Sequence, residues 1–340
     1  MPVWSEQERM IAQSVAGFFK GQGGTDRIRR LRDHRRRDRA TWQDVADQGW
    51  IGTLISESAG GLGLELRDGL VLMREASRSV ASEPLAGAIA AAQALVALPA
   101  CRGIMLEAIS GKRIVLPAWA RVTRRQGTLC CDSAPLPGLG AADTILLFDG
   151  ASNSVILVNR EQPGVEVETA ATLDGGDIGR LLLKDVAAET VASGGSARTL
   201  SLDTRDVGFM LHAAELCGLG DEVLQRTLAH LEGRRQFGVA LASFQAIQQR
   251  MASVYVQIAA ADALLFEAAR AFEGPRQSFA AGAAFLRAGQ AAHLACREAI
   301  QFHGAIGFTD ELDIGFYLKR CMAITAAHGG LEAVRSGITH

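Results

Sequence analysis

The sequence lacks the features that mark several specialised classes of protein. Its six cysteines show neither Cys-x-x-Cys pairs nor zinc-finger spacing, which predicts reduced, mostly buried thiols and no metal site. The N-terminal stretch has no basic segment followed by an apolar one, so we predict no secretory signal. No window of about 18 uncharged apolar residues occurs, which disfavours a transmembrane helix. These absences favour a cytoplasmic protein without a membrane partner.

A strong charge of either sign is also missing. The net charge of −2 gives no general electrostatic argument for binding nucleic acid. Residues 27–39, RIRRLRDHRRRDR, are a local exception with eight arginines. They form either a phosphate-binding patch or a solvated helix face. Interspersed aspartates and an apolar side of Ile28 and Leu31 favour the solvated face, so nucleic acid is not an expected partner.

The length of 340 residues suits two or three domains. The residue pattern changes twice, which predicts three domains with the boundaries 1–110, 111–198 and 199–340. In the first domain, Ser5 and Glu8 have the spacing of a capping box, and Thr41 is expected to cap a later helix. Pro84 separates two further predicted helices. The glycine-rich loop at 56–64 does not match the dinucleotide fingerprint G-x-G-x-x-G.

The middle domain consists of short apolar or β-branched runs bounded by turn residues. Examples are DTILLFD, SVILVN and RLLLKDV. Such runs predict strands, and their spacing suits a compact antiparallel sheet or barrel. The stretch ASGGSA at 192–197 is predicted to be a linker into the last domain.

The last domain has a helical pattern from residue 203 onward. Apolar residues alternate steps of three and four from Phe244 to Ala268, as in a helix packed within a bundle. Further long helices are predicted at 205–232, 277–303 and 312–326. The predicted fold class is α+β and mostly α, with an N-terminal helical domain, a small central β domain and a C-terminal four-helix bundle.

Two segments of the last domain carry a resemblance to a known family. Residues 234–249, RRQFGVALASFQAIQQ, join a basic pair and an aromatic to a glycine turn and then open the striped helix. Residues 301–320, QFHGAIGFTDELDIGFYLKR, end a helix in a glycine-rich loop. Together they resemble the two C-terminal signatures of acyl-CoA dehydrogenases, flavoenzymes that desaturate acyl-CoA thioesters between Cα and Cβ. The order of helices, strands and helices extends the resemblance to nearly the whole chain.

The resemblance implies FAD at a dimer interface, with the isoalloxazine in one subunit and the ADP half held by the other. The residues that match the family's ADP-side motifs R-x-Q-F-G and Q-x-x-G-G-x-G are Arg234, Gln236, Phe237 and Gly238, and Gln301, Gly304, Ala305 and Gly307, with Ala305 replacing a glycine. An arginine offers two parallel donors to a pyrophosphate. Phe237 can stack on adenine, and Gln301 can donate and accept at its edge. The alternative is that Phe237 is a core residue and the glycines only cap a helix.

The central domain departs from the family. Typical members wrap the flavin ring with a T-E-P-x-A-G-S-D segment, whereas this chain has LPAWARVTRRQG at 116–127. This difference implies that the chain does not itself hold the isoalloxazine tightly.

The family's catalytic glutamate is also missing from this sequence. That residue removes the α-proton as a general base and occupies one of two places in the family. The matching positions here hold Met210 and either His328 or Gly329. Glu215 is turned off the expected helix face, Glu311 lies at a loop-to-helix junction, and His328 precedes Gly-Gly at a helix end. None of these three residues is predicted to replace the base.

The chain resembles the shorter, glutamate-lacking subunit of heteromeric bacterial dehydrogenases of the pimeloyl-CoA or steroid side-chain type. We therefore predict an FAD-dependent dehydrogenase of an acyl-CoA substrate that acts with a glutamate-bearing partner, as a heterotetramer. Two alternatives stay open. One is a homo-oligomer with a displaced base such as His328 or Glu215. The other is a flavin-free scaffold or nucleic-acid-binding offshoot that uses Arg27–Arg39.

Overall fold

The computed structural model describes residues 4–34, 38–125 and 127–338. Residues 35–37 of the arginine-rich segment fall outside this part of the chain, and with them part of the predicted solvated helix face. Within the described residues, helices, strands and helices follow one another in the predicted order, as expected for the α+β fold class.

The helices that precede the strands are α1 (Glu6–Gly21), α2 (Asp26–His34), α3 (Arg39–Asp47), α4 (Leu66–Arg78), α5 (Leu85–Val96) and α6 (Arg102–Ile109). The strands of the middle region are β1 (Val115–Trp119), β2 (Val122–Arg125), β3 (Thr128–Asp132), β4 (Leu136–Pro137), β5 (Thr144–Asp149), β6 (Ser154–Asn159), β7 (Val165–Ala171), β8 (Asp177–Val186) and β9 (Glu189–Ser193). The elements that follow are α7 (Gly194–Gly233), the short strands β10 (Arg235–Gln236) and β11 (Val239–Ala240), α8 (Gln245–Arg270), α9 (Gln277–His303), α10 (Ile314–Ala327) and α11 (Leu331–Ile338).

Contacts within the chain group these elements into two compact units. The bundle unit comprises residues 1–29, 70–81 and 209–340, and the sheet unit comprises residues 30–69 and 82–208. The three domain boundaries predicted above remain a prediction. Secondary structure changes from helix to strand between Ile109 and Val115 and returns to helix at Gly194.

The long helices of the bundle unit match the predicted ones closely. Helices α8 and α10 both pack against α9. The predicted apolar stripe of α8 is buried from its second turn onward, at Met251, Val254, Ile258, Ala261, Leu265 and Ala268. Its first two positions, Phe244 and Ile247, are not buried. The stripe therefore packs in the bundle except at the end where α8 follows the β10–β11 hairpin.

Helix α8 is also long and apolar enough, by length and composition, to cross a membrane, with 44% of the relevant window buried. The core helix of a bundle has the same composition, so this is weak evidence for a membrane span. Asp262 on α8 is buried and accepts hydrogen bonds of 3.1 and 3.2 Å from the guanidinium of Arg74. A charge pair at this position fits a helix that packs against protein.

The middle of α7 is fixed by close backbone packing within the bundle unit. A side chain at Gly218 would lie 2.0 Å from the carbonyl oxygen of Arg74, so only glycine permits this approach. Arg74 itself is 2% exposed and also contacts Asp221 on α7 at 3.4 Å. This packing holds in place the helix that carries Met210 and His212.

The sheet unit contains two sheets in place of the single antiparallel sheet or barrel that was predicted. One has the strand order β1-β5-β6-β9, and the other has the order β2-β3-β8-β4 with β7 paired to β8. All pairs are antiparallel except β1 with β5. The parallel pair arises because the chain leaves the first sheet after β1, forms strands of the second, and returns as β5, and such a crossover brings strands together in parallel.

Local predictions at element ends have mixed outcomes. The capping box of Ser5 and Glu8 is confirmed, with both reciprocal hydrogen bonds present. The predicted cap at Thr41 is wrong: Asp38 is the N-cap of α3 and accepts from the Thr41 backbone N–H at 3.0 Å. The predicted linker at 192–197 is also wrong, because its first residues end β9 and Gly194 begins α7. Asp38 caps α3 because aspartate is a stronger N-cap than threonine, and it lies three residues before Thr41.

Candidate functional site

The R-x-Q-F-G motif forms a hairpin at the end of α7. Strands β10 and β11 pair in antiparallel register, with Phe237 and Gly238 as the two turn residues. Both have a positive φ, +55° and +83°, which a two-residue turn of this kind requires. Gly238 adopts this conformation without strain, whereas a bulky residue such as Phe237 does so at a cost of about 1–2 kcal/mol.

Phe237 is 88% exposed at the tip of this hairpin. Its nearest aromatic neighbour is Phe244, at a ring-centroid distance of 6.2 Å. The alternative interpretation of Phe237 as a core residue is therefore wrong. A strained backbone that presents an exposed aromatic ring points to a binding role outside this chain's own core.

The polar residues of the two motifs are exposed and lie close to each other. Arg234, Gln236 and Gln301 all face solvent. Within the described residues, the Arg234 guanidinium makes no hydrogen bond or ion pair. The helix ends that carry the motifs meet through His230 and His303, whose ring centroids are 4.2 Å apart. The hairpin and the glycine loop therefore lie side by side.

The glycine loop begins directly at the end of α9. Gly304 has φ +71° and ψ −146°, and its N–H donates to the carbonyl of Ile300, so it does cap the helix as the alternative interpretation proposed. Ala305 lies outside the positive-φ residues, so the replacement of a glycine causes no backbone strain there. Beyond it, Ile306 and Phe308 are 44% and 80% exposed. The loop thus adds apolar surface beside the hairpin. We call the surface formed by Arg234, Gln236, Phe237, Gln301 and the loop 304–308 the ADP-side surface.

Both positions expected to hold the catalytic glutamate belong to the bundle unit, where His328 is half-buried and Gly329 is exposed. Met210 is fully buried on α7. His328 is the C-cap residue of α10, and Gly329 follows it with φ +77°. Neither position presents a carboxylate. We call Met210, His212 and His328, with the rings packed on them, the base region.

His328 is paired with a second histidine across the base region. Its Nε2 lies 2.9 Å from Nδ1 of His212, and its ring packs at 4.8 Å from the rings of both Phe209 and Phe285. Burial lowers the pKa of His328 to about 4. Burial also lowers the pKa of His212 well below its usual value, and the neighbouring His328 and Arg320 lower it further. Both imidazoles are therefore neutral near pH 7.

The two carboxylates considered as substitutes are engaged or displaced. Glu215 is 1% exposed and accepts from Nε of Arg320 at 2.6 Å. Its carboxylate is therefore committed to an ion pair between α7 and α10. Glu311 is exposed in the turn that precedes α10. Glu215 is dry but paired with a cation, and Glu311 is exposed to water, so neither carboxylate has the dry, unpaired surroundings that a general base needs.

The segment that stands where the family wraps the flavin ring is ordinary sheet structure. Residues 116–127 supply most of β1 and all of β2. Trp119 stacks on Phe148 with a centroid distance of 5.4 Å, and its indole N–H donates to Ser201 at 3.1 Å. The sheet unit also contains a cavity of about 800 Å³, lined in part by Arg39, Trp42 and Asp177, and none of the predicted cofactor-binding or base residues lines it.

Two features of the site were missed by sequence reasoning. The His212–His328 pair and the His230–His303 pair each join residues more than 70 positions apart, and no periodicity links such residues. A signal was nevertheless present. His230 and His303 lie in or next to the two matched motifs, and His212 and His328 lie at or next to the two base positions. Motifs that serve one ligand must meet in space, and so must their neighbours.

Comparison with known proteins gives the family directly. Residues 5–102 match the acyl-CoA dehydrogenase N-terminal domain, and residues 203–339 match the acyl-CoA dehydrogenase C-terminal domain. The acyl-CoA dehydrogenase IpdE2 of Mycobacterium tuberculosis is 30% identical over 97% of this chain and 94% of its own length. The chain belongs to the acyl-CoA dehydrogenase family, a family of FAD-dependent oxidoreductases, as the motifs predicted.

Solved structures agree with this assignment. The Tcur3481-Tcur3483 steroid ACAD, G363A variant, superposes with a TM-score of 0.89 at 26% identity, covering 98% of this chain and 97% of the other. The ChsE4-ChsE5 complex from Mycobacterium tuberculosis superposes with a TM-score of 0.88 at 23% identity, covering 100% and 98%. The second likeness concerns the fold alone. The predicted resemblance to the steroid-type members of the family is confirmed by these similarities.

Proposed function

We propose that this chain is the glutamate-lacking subunit of a heteromeric, FAD-dependent acyl-CoA dehydrogenase that introduces an α,β double bond into an acyl-CoA thioester. One observation carries the proposal. The base region is filled by Met210 and a histidine pair, whereas the ADP-side surface is exposed and holds an arginine without an internal partner. The chain is therefore equipped to hold part of a cofactor and not to remove the α-proton.

The residues present fit the ADP half of FAD. Arg234 has a guanidinium available for the pyrophosphate, and paired N–H donors match its oxygens. Gln301 is exposed near the end of α9, beside the hairpin that follows α7. Its amide can donate and accept hydrogen bonds at the edge of the adenosine. Phe237, at the hairpin tip, offers a ring to stack on adenine or to pack beneath it. The chemistry that FAD supplies in this family is acceptance of the β-hydrogen as hydride.

The candidate bases of this chain, His328 and Glu215, are poorly suited to remove the α-proton. Removing an α-proton needs a group that is both close and basic. His328 is a weak base, since its pKa is lowered to about 4. Glu215 is held by Arg320. This combination disfavours a homo-oligomer with a displaced base and supports a partner subunit that supplies the glutamate.

The relatives support a class of substrate and a kind of partner. The similarity to a structure titled as a steroid ACAD, with two subunit names, supports a bulky, steroid-derived or similar acyl-CoA and a second dehydrogenase subunit. The likeness to the acyl-CoA dehydrogenase IpdE2 over nearly the whole chain supports an acyl-CoA as the substrate. We propose a heterotetramer located in the cytoplasm.

Flavin retention in the assembled complex tests the assignment. The chain is co-expressed with a glutamate-bearing dehydrogenase encoded beside it, and the flavin content is read from the visible spectrum. Arg234→Ala should weaken FAD binding by about 10- to 150-fold, because a charge-assisted hydrogen bond contributes roughly 1.5–3 kcal/mol. Arg235→Ala removes the adjacent, equally exposed arginine and is the matched control, with an effect of less than a few-fold. Equal flavin content in wild type and Arg234→Ala would contradict the proposed cofactor site.

A further inference from the structure

The contact between His230 and His303 joins the ends of two long helices. His230 lies in the last turn of α7, and His303 is the last residue of α9. Their ring centroids are 4.2 Å apart with an angle of 30° between the planes, so the two imidazoles lie nearly face to face. Both residues are half-buried. A stack of two imidazoles at this distance cannot carry two positive charges without strong repulsion.

Both imidazoles also hydrogen-bond to the backbone of α9. Nδ1 of His303 lies 2.8 Å from the carbonyl oxygen of Ala299, so this nitrogen carries a proton and donates. The pKa of His230 is lowered by burial, by His303 and by Arg234, while a hydrogen bond with the backbone of Phe302 opposes this shift. His230 is therefore largely neutral in the free chain near pH 7.

The pair adjoins the residues that would hold the dinucleotide. The backbone carbonyl of His230 accepts from the Arg234 N–H at 2.8 Å, and His303 stands between Gln301 and Gly304. Any anion on the Arg234 guanidinium thus lies near the imidazole pair. The C-terminal ends of both helices carry partial negative charge, which also favours a cation at this place.

Other charged groups of the neighbouring elements are already compensated. On α7, Arg226 lies one turn before His230, and its guanidinium bonds to Glu222 at 2.9 Å. Between α8 and α9, Arg250 pairs with Glu298 at 2.6 Å and lies 4.5 Å from the centroid of the Phe302 ring. These pairs contribute little net charge. Arg234 is therefore the main charge that opposes protonation of the imidazole pair.

We propose that the His230–His303 pair forms part of the dinucleotide site and takes up one proton from solvent when the FAD pyrophosphate binds to Arg234. This inference rests on the proposed function. In the free chain, a proton on the pair would stand beside the positive Arg234. A bound pyrophosphate neutralises Arg234 and adds negative charge, so the proton becomes favourable and the imidazolium adds a further cation to the site. No covalent bond other than the N–H bond forms.

The pair thereby links FAD affinity to pH. Because the complex with FAD binds one proton more than the free site, affinity is highest at low pH. It falls by up to about tenfold per pH unit as the pH rises through the range where the bound pair loses its proton. Above that range the affinity is constant. If the two imidazoles only pack the helix ends together, FAD affinity does not change with pH in this way.

Calorimetry of FAD binding measures the proton directly. FAD is titrated into the flavin-depleted complex of the full chain with its partner, at several pH values and in two buffers of different ionisation enthalpy. FAD suits this purpose because its pyrophosphate has no proton to release near pH 7. The expected result is uptake of up to about one proton near pH 7 and none near pH 9.

Variants separate the pair from other proton sources. Either imidazole can carry the single proton, so the double variant His230→Gln/His303→Gln should abolish the uptake. It should also weaken FAD binding about tenfold at pH 6 while matching wild type at pH 9. His293→Gln is the control, since His293 lies on the same helix α9 but is bonded to Thr325. Unchanged proton uptake in the double variant, or FAD binding with no uptake in wild type, would overturn the inference alone. A complex that binds no FAD at any pH would overturn the proposed function as well.

Discussion

The base region and the ADP-side surface belong to the same bundle unit and are built on opposite principles. In the base region, His212 bonds to His328 and two phenylalanine rings pack on the His328 imidazole, while further along α7 Glu215 pairs with Arg320. On the ADP-side surface, Arg234 and Phe237 are exposed. The residues of the first region contact one another, and those of the second face solvent.

This difference predicts two kinds of mutational response. Changing a residue of the base region leaves a buried polar group without its partner and lowers the free energy of unfolding. Changing a residue of the ADP-side surface removes contacts that only a ligand or another subunit makes, so it lowers binding and leaves folding nearly unchanged.

Breaking the Glu215–Arg320 pair should have the largest effect on stability. Glu215→Ala leaves Arg320 nearly buried without its carboxylate, which typically costs about 3–5 kcal/mol in the free energy of unfolding. Chemical denaturation of the purified chain measures this cost. The control is Glu332→Ala, which breaks the exposed Glu332–Arg335 pair of α11 and should cost less than about 1 kcal/mol. Equal losses in the two variants would contradict the account of Glu215 as a structural residue.

The histidine pair of the base region should make stability depend on pH. The imidazole of His328 stays neutral in the fold but takes up a proton once unfolded, because burial lowers its pKa to about 4 from a usual 6.5. The free energy of unfolding should therefore be greatest above pH 6.5 and fall as the pH drops towards 4. The loss from this residue is roughly 2–4 kcal/mol.

Replacing His328 by glutamine should flatten this dependence. Glutamine keeps a polar partner for His212 but cannot be protonated, so the slope between pH 4 and pH 6.5 should decrease. Denaturation curves at a series of pH values give the comparison. An identical slope in wild type and His328→Gln would show that His328 is not held neutral by its surroundings.

The hairpin tip should respond in the opposite way. Phe237→Asn places a residue that tolerates positive φ in the turn, and the lost ring is 88% exposed. The free energy of unfolding of the isolated chain should rise by about 0.5–1 kcal/mol, while FAD retention by the complex falls. A loss of stability together with unchanged FAD retention would return Phe237 to the role of an ordinary structural residue.

Sequence patterns predicted the parts of the molecule that depend on neighbours along the chain. The capping box at Ser5 and Glu8 and the buried stripe of α8 follow from local spacing, and both are confirmed. The parallel β1–β5 pair was not predicted, because it depends on where the chain returns after the second sheet. Neither histidine pair was predicted from the sequence, for the same reason. Long-range pairing is set by packing of whole elements, which no local period encodes.

The sequence motifs predicted which residues belong to the site, but not how side chains on different helices pair with one another. The sequence predicted that Arg234 and Gln301 belong to one site, and the helix ends that carry them do meet. It also predicted that Met210 and His328 cannot replace a glutamate. It gave no sign that Glu215 is held by Arg320, since ion pairs between helices depend on how those helices are rotated.

Desaturation of an acyl-CoA by the reconstituted complex, measured with single variants in each subunit, shows which subunit carries the general base. The chain alone should show negligible activity. In the complex, Glu215→Gln, Glu311→Gln and His328→Gln should keep the rate within a few-fold of wild type, whereas replacing the partner's glutamate by glutamine should cost about 10²–10⁴-fold, as expected for a lost general base. A loss of about a hundredfold or more in one of the three variants of this chain, with assembly and flavin content intact, would show that this chain carries the base.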